Sequence, residues 1–277
     1  METNRLTRPL RDLAAWTAFF RNAEIPVLAQ SAGALEDLRA IEDDVDANLI
    51  GETFSSDPLM TLRILAHLSK HRPARVVTQP ETVTASVVMM GITPFFKAFG
   101  QLASVEETLQ DMPEALEGLR EVLRRAHRAA DFALGFAVHR LDHDAAVIHH
   151  AALLHDFAEM LLWLHAPELA LRIRGAQQAD PTLRSNMIQK DVLNVTLPEL
   201  AHSLMLAWRL PELLMRITDD QHAEHPSARS VLLAIRLARH TAKGWDNAAL
   251  PDDIRDIATL LNISESATTA LVHELDS

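Results

Sequence analysis

The chain has 277 residues, 48% of them hydrophobic, enough to bury a substantial core and to exclude general disorder. Its 26 basic and 38 acidic side chains give a formal charge of -12, which repels a phosphate backbone at long range and argues against nucleic acid as a partner. Cysteine is absent, which excludes disulfides, thiolate zinc sites, cysteine nucleophiles and iron–sulfur clusters, whereas histidine is plentiful at 14 copies.

Glycine is scarce at 8, tyrosine is absent, and no stretch alternates apolar and polar residues for long, so the pattern predicts an all-α protein. The first residues carry Arg and Asp where an export signal needs an apolar core, and a cytoplasmic location is expected. Helices are predicted over residues 10–20 and 28–38, separated by Ile25-Pro26. The acidic run Asp43, Asp44, Asp46 precedes a helix ending near Phe54. Asp57 then caps the next helix, with Pro58 in the first turn, where its missing N–H costs nothing. After a proline-bearing loop over residues 71–79, apolar helices lead to Asp111-Met112-Pro113, the predicted boundary between a lobe over 1–113 and a second over 114–277. Leu116, Leu119, Leu123, Ala126, Ala130, Leu134 and Ala137 then recur at helical spacing.

One buried helix is predicted over residues 144–165. Residues 145–164 are long enough for a bilayer, but His149, His150, His155, Asp156 and Glu159 would each cost roughly 2.5–3.5 kcal/mol in lipid, so no membrane span is expected. Prolines at 167, 181, 198, 211, 226 and 251 punctuate the remaining helices.

The sharpest chemical feature is the pair His155-Asp156, with His127 on the preceding long helix as the natural third ligand. His127 is expected to point inward, while Arg124, Arg125 and Arg128 point out. Imidazole and carboxylate suit a first-row divalent metal able to activate water, and they equally suit a hydrogen-bonded core pair. His202, Met205 and Trp208 read as packing, His222 to His225 as a solvated turn, and Asp219-Asp220 and Asp252-Asp253 as helix-start or solvated acids. The chain lacks a glycine-rich phosphate loop, a Gly-x-Ser-x-Gly elbow and an EF-hand.

Several blocks, in order, resemble the HDOD family of bacterial signalling modules. They are Ile25-Pro26-Val27-Leu28, the acids 43–46, the run from Ser55 to Leu65, the run from Val87 to Ile92, Ala151 to Asp156, and Ala207 to Glu212. The resemblance covers about residues 25–240. It implies a fold similar to the HD-domain metal phosphohydrolases, and a largely non-enzymatic role in signalling. Active hydrolase relatives read His-Asp-x-Gly-Lys, whereas this chain reads His155-Asp156-Phe157-Ala158-Glu159. Leu197 stands where a further histidine is often found, Gln221-His222 where the family has a histidine pair, and Arg239 where a late Asp is expected. The resemblance therefore implies a vestigial or weak metal set, His127, His155 and Asp156. No catalytic residue and no cofactor beyond residual divalent metal are expected. The expected function is a signal output module with a signalling protein as partner, and a homo-oligomer is left open. The alternative is a metal-dependent phosphohydrolase acting on a nucleotide or cyclic dinucleotide.

Overall fold

In the computed structural model, which describes residues 5–71, 80–180, 182–216 and 225–276, short polar side chains start many of the helices. Asp12 caps α1 (Leu13–Asn22) by accepting from the Ala15 N–H, and α2 (Ala29–Ala40) follows. Asp46 caps α3 (Ala47–Phe54) in the same way, through the Leu49 N–H. Asp57 binds the Leu59 and Met60 N–H groups at 2.8 and 3.1 Å to open α4 (Pro58–His71). Both caps sit where the acidic residues predict them. Thr82 caps α5 (Val83–Met90), Gly91 with φ of 88° leads into α6 (Ile92–Ala98), and Ser104 and Glu107 form a reciprocal capping box on α7 (Val105–Thr108).

The long helix α8 (Pro113–His139) is followed by α9 (Ala145–Leu154), α10 (Phe157–His165), α11 (Pro167–Ala179) and α12 (Ser185–Leu193). Thr196 and Glu199 form a second capping box on α13 (Leu197–Trp208); then come α14 (Glu212–Arg216), α15 (Pro226–His240), α16 (Leu250–Leu261) and α17 (Glu265–Leu275). The protein is all-α. Among the described residues, pairing between extended segments is confined to a single parallel bridge, Val27 with Ser104.

The chain divides into two units, each assembled from two separate stretches of sequence. The first comprises residues up to Val122 together with Asp156–Leu210. In it α1 packs on α13, α10 and α13 pack on α4, and α3 packs closely on α5. Its N-terminal core gathers Val27, Leu35, Ile50, Phe54, Ile64, Val87, Phe95 and Phe99. The second unit comprises Leu123–His155 and Pro211 onward, with α15 packed on α9 and α16, and α17 on α16. Phe132 and Phe136 stack at 6.5 Å within it. The residues placed in the second lobe by the boundary expected at Pro113 thus contribute to both units. Those of α10 and α13 join the N-terminal helices because their apolar faces are buried against α1 and α4.

Candidate functional site

The single helix expected over residues 144–165 is two helices, α9 and α10, and the turn between them is His155-Asp156. His155 keeps helical angles (φ -53°, ψ -44°), but Asp156 moves to φ -93°, ψ 19°. The His155 N–H reaches back to the Ala152 carbonyl at 3.3 Å, and the Asp156 carbonyl accepts from the N–H groups of Glu159 and Met160 at 3.0 and 3.2 Å. No proline or glycine announces the break, and the flanking residues are apolar on every side, so helical periodicity passes through it unmarked. The division between the units falls between His155 and Asp156, which leaves His127 and His155 in the second unit and Asp156 in the first.

Within the second unit, His127 is half-buried on α8, at the edge of the helix face rather than at its centre. Its electrostatic neighbours are Asp131, one turn further along α8, and His149 on α9. Burial, reinforced by His150 and His127, pushes the His149 imidazole down to about 4, so it is neutral at pH 7. Burial raises Asp131 above the usual carboxylate range; His127 opposes the shift and Asp276 adds to it. The sequence alone did not place His149 or Asp131 beside His127, although the spacing of His127 and Asp131 on one helix was available there. His150 is buried, with Nδ1 2.6 Å from the Ala146 carbonyl and Nε2 without a hydrogen-bond partner.

Of the three arginines expected to point outward, Arg124 is exposed and Arg128 is not. Arg128 grips Asp276 through two bonds of 2.6 and 2.8 Å, reaches Thr241 at 2.8 Å, and lies over the Phe132 ring. Its long stem crosses apolar surface to carry the charge to the chain's last turn.

At the positions expected to depart from the hydrolase pattern, Ala158 is buried and Glu159 is half-buried in the first turn of α10, where a carboxylate meets the positive end of the helix dipole. Leu197 opens α13, and its N–H donates to Gln189 at 2.9 Å. Arg239 is exposed in the last turn of α15. Gln221 and His222 lie outside the described residues, as do Asp219 and Asp220. Asp253 lies in the first turn of α16, one of the two places expected for it, and is not solvated. At 1% exposure it is held by Arg236 and by His240 Nδ1, each at 2.6 Å, and fastens α16 to α15. A late carboxylate therefore does reach α15, but from the next helix and already engaged by two partners. His202, expected to pack with Met205 and Trp208, is exposed while those two are buried. Among the described residues, no group of three or more His, Asp or Glu is placed to hold a metal ion. Nor is any of their helices long and apolar enough to cross a membrane.

None of the curated proteins matches the chain. Solved structures do. The MmoQ response regulator from Methylococcus capsulatus superposes with a TM-score of 0.69 at 16% identity, covering 91% of this chain and 99% of that one. A virulence factor from Campylobacter jejuni gives 0.61 at 14%, covering 95% and 96%. An HDOD domain protein of unknown function from Geobacter sulfurreducens gives 0.50 at 13%, covering 96% and 97%. These likenesses, with the helical order above, define an all-helical fold shared with those proteins. The HDOD domain model matches residues 25–224, and the chain belongs to the HDOD family.

Proposed function

We propose that this chain is a non-enzymatic signal-transduction output module that acts through protein–protein contacts. The observation that carries the reading is the state of the inherited hydrolase positions. Glu159 stands in the place of a phosphate-binding lysine, and the exposed Arg239 in the place of a metal-binding carboxylate. A phosphate would meet a negative charge, and a divalent ion would lack an anionic ligand. The signalling role that the HDOD resemblance implies supports the same reading, as does the response-regulator name of the Methylococcus structure.

Three measurements on the untagged full chain test it. Elemental analysis after chelator dialysis is expected to find much less than one equivalent of Zn, Mn or Fe, and a nucleotide-hydrolysis assay to find no turnover. Glu159→Lys restores the lysine alone and is expected to create no phosphodiesterase activity. Capture of a protein partner by the full chain, retained when His155 or Asp156 is replaced by Ala in a folded variant, completes the case. Near-stoichiometric metal together with hydrolysis lost in both Ala variants reverses the reading in favour of a metal-dependent phosphohydrolase.

A further inference from the structure

The last turn of α4 carries His67, half-buried, and His71, exposed, four residues apart and on the same helix face. Their rings stack with centroids 4.1 Å apart and 26° between planes. His71 Nδ1 lies 2.9 Å from the His67 carbonyl oxygen. A carbonyl only accepts, so the neutral His71 ring donates from Nδ1 and keeps its lone pair on Nε2. That tautomer, fixed by a backbone carbonyl, is the one a metal-ligating histidine commonly needs. Phe99 tilts against His67 at 5.1 Å and limits its swing. Among the fourteen histidines only one other pair has this spacing, His139 and His143, and α8 ends at His139.

We infer that His67 and His71, once the exposed His71 ring turns out of the stack so that the two lone pairs converge, form a two-histidine chelate for a first-row divalent ion of the imidazole-preferring class, Cu(II), Ni(II) or Zn(II), with water completing the shell. The site lies on one helix of the first unit and uses none of His127, His155 or Asp156. Lys70 and Arg63 are charged neighbours of His67. The same two cations repel a dication and, with only two protein ligands, keep binding weak and readily reversed by chelators.

The test is calorimetric titration of the untagged, chelator-treated full chain with CuCl2, NiCl2 and ZnCl2 at pH 7. One site is expected, tightest for Cu(II) by the general ligand-affinity order. His71→Ala changes an exposed side chain, so its metal-free melting temperature should match the parent, while affinity falls about 10- to 100-fold, at least the loss that disturbing a ligand's support causes. His67→Ala should show the same loss, and His127→Ala should bind like the parent. A spectrum of the Cu(II) form in the nitrogen-ligand range, lost in His71→Ala, is the independent readout. Unchanged affinity in His71→Ala, loss in His127→Ala, or no heat at millimolar Cu(II) overturns the assignment. Because the site is weak and distinct from the inherited ligand set, dialysis separates this outcome from the elemental test of the proposed function.

Discussion

At the residue scale, Asp57 ties two stretches of chain together. Its carboxyl is 3% exposed and accepts from the N–H groups of Leu28, Leu59 and Met60 and from Ser31, so it caps α4 and pins the entry to α2 at once. Burial raises its pKa; the four donors work against that. Asp57→Ala removes the cap and strands buried donors, a loss of roughly 2–3 kcal/mol that urea melts will register; Asp57→Asn should recover part of it. His165 offers a different test. It sits between Phe19 and Phe20 with ring centroids 5.8 Å away, its Nε2 has no partner, and burial lowers it to about 4 despite the opposing pull of Glu24. A histidine held neutral by the fold contributes its stability above the unfolded value near 6.5 and loses it as pH falls toward 4, since the unfolded chain binds the extra proton first. Urea midpoints should therefore drop between pH 6.5 and 4. His165→Phe, which keeps the aromatic packing, should flatten that slope; a parallel slope would reject the assignment. His149 titrates with the same sign and will leave a residual dependence.

At the element scale, close helix packing rests on missing side chains. A Cβ added to Gly51 of α3 would overlap the Thr84 hydroxyl and lie 3.1 Å from its Cβ on α5, so the two helices meet through a glycine. Gly51→Ala gains helix propensity of under about 1 kcal/mol but forces the helices apart, and a net destabilisation of about 1–3 kcal/mol is expected. Thr84→Ala removes the nearer clash. In the double variant the loss should shrink, a coupling that thermal melts of the four-member cycle will measure. The break between α9 and α10 is the other decisive element feature. It turns an adjacent His-Asp pair from two points on one helix into the link between the end of one helix and the start of the next.

At the scale of the whole molecule, both units are discontinuous in sequence, so no single cut releases either intact. A fragment beginning at Glu114 keeps α10 and α13 but loses α1 and α4, on which they pack. Trp208, Met205, Leu200 and Leu204 of α13 are buried in the full chain. Losing the neighbouring helices leaves an apolar surface larger than a soluble monomer tolerates. The fragment is expected to aggregate or to melt without a cooperative transition by circular dichroism, whereas the full chain unfolds cooperatively. A well-dispersed amide spectrum from the fragment would contradict this.

The sequence by itself determined the class of the protein. Helical spacing, scarce glycine and absent tyrosine make it all-α, and Asp46, Asp57 and Pro58 mark real helix starts, because capping is local chemistry that a few adjacent residues decide. The ordered blocks from Ile25 onward identify the family for the same reason, since they are short strings with fixed spacing. Tertiary structure decided what depends on contacts distant in sequence. It turned the chain at His155-Asp156 inside a mostly apolar run, and drew residues 156–210 back onto the N-terminal helices. It buried Asp253 against Arg236 and His240, brought Arg128 to Asp276, and placed His149 beside His127. An apolar pattern tells that a face is buried but not which helix covers it. A charge in a sequence likewise carries no sign of its partner until folding has chosen the helices that meet.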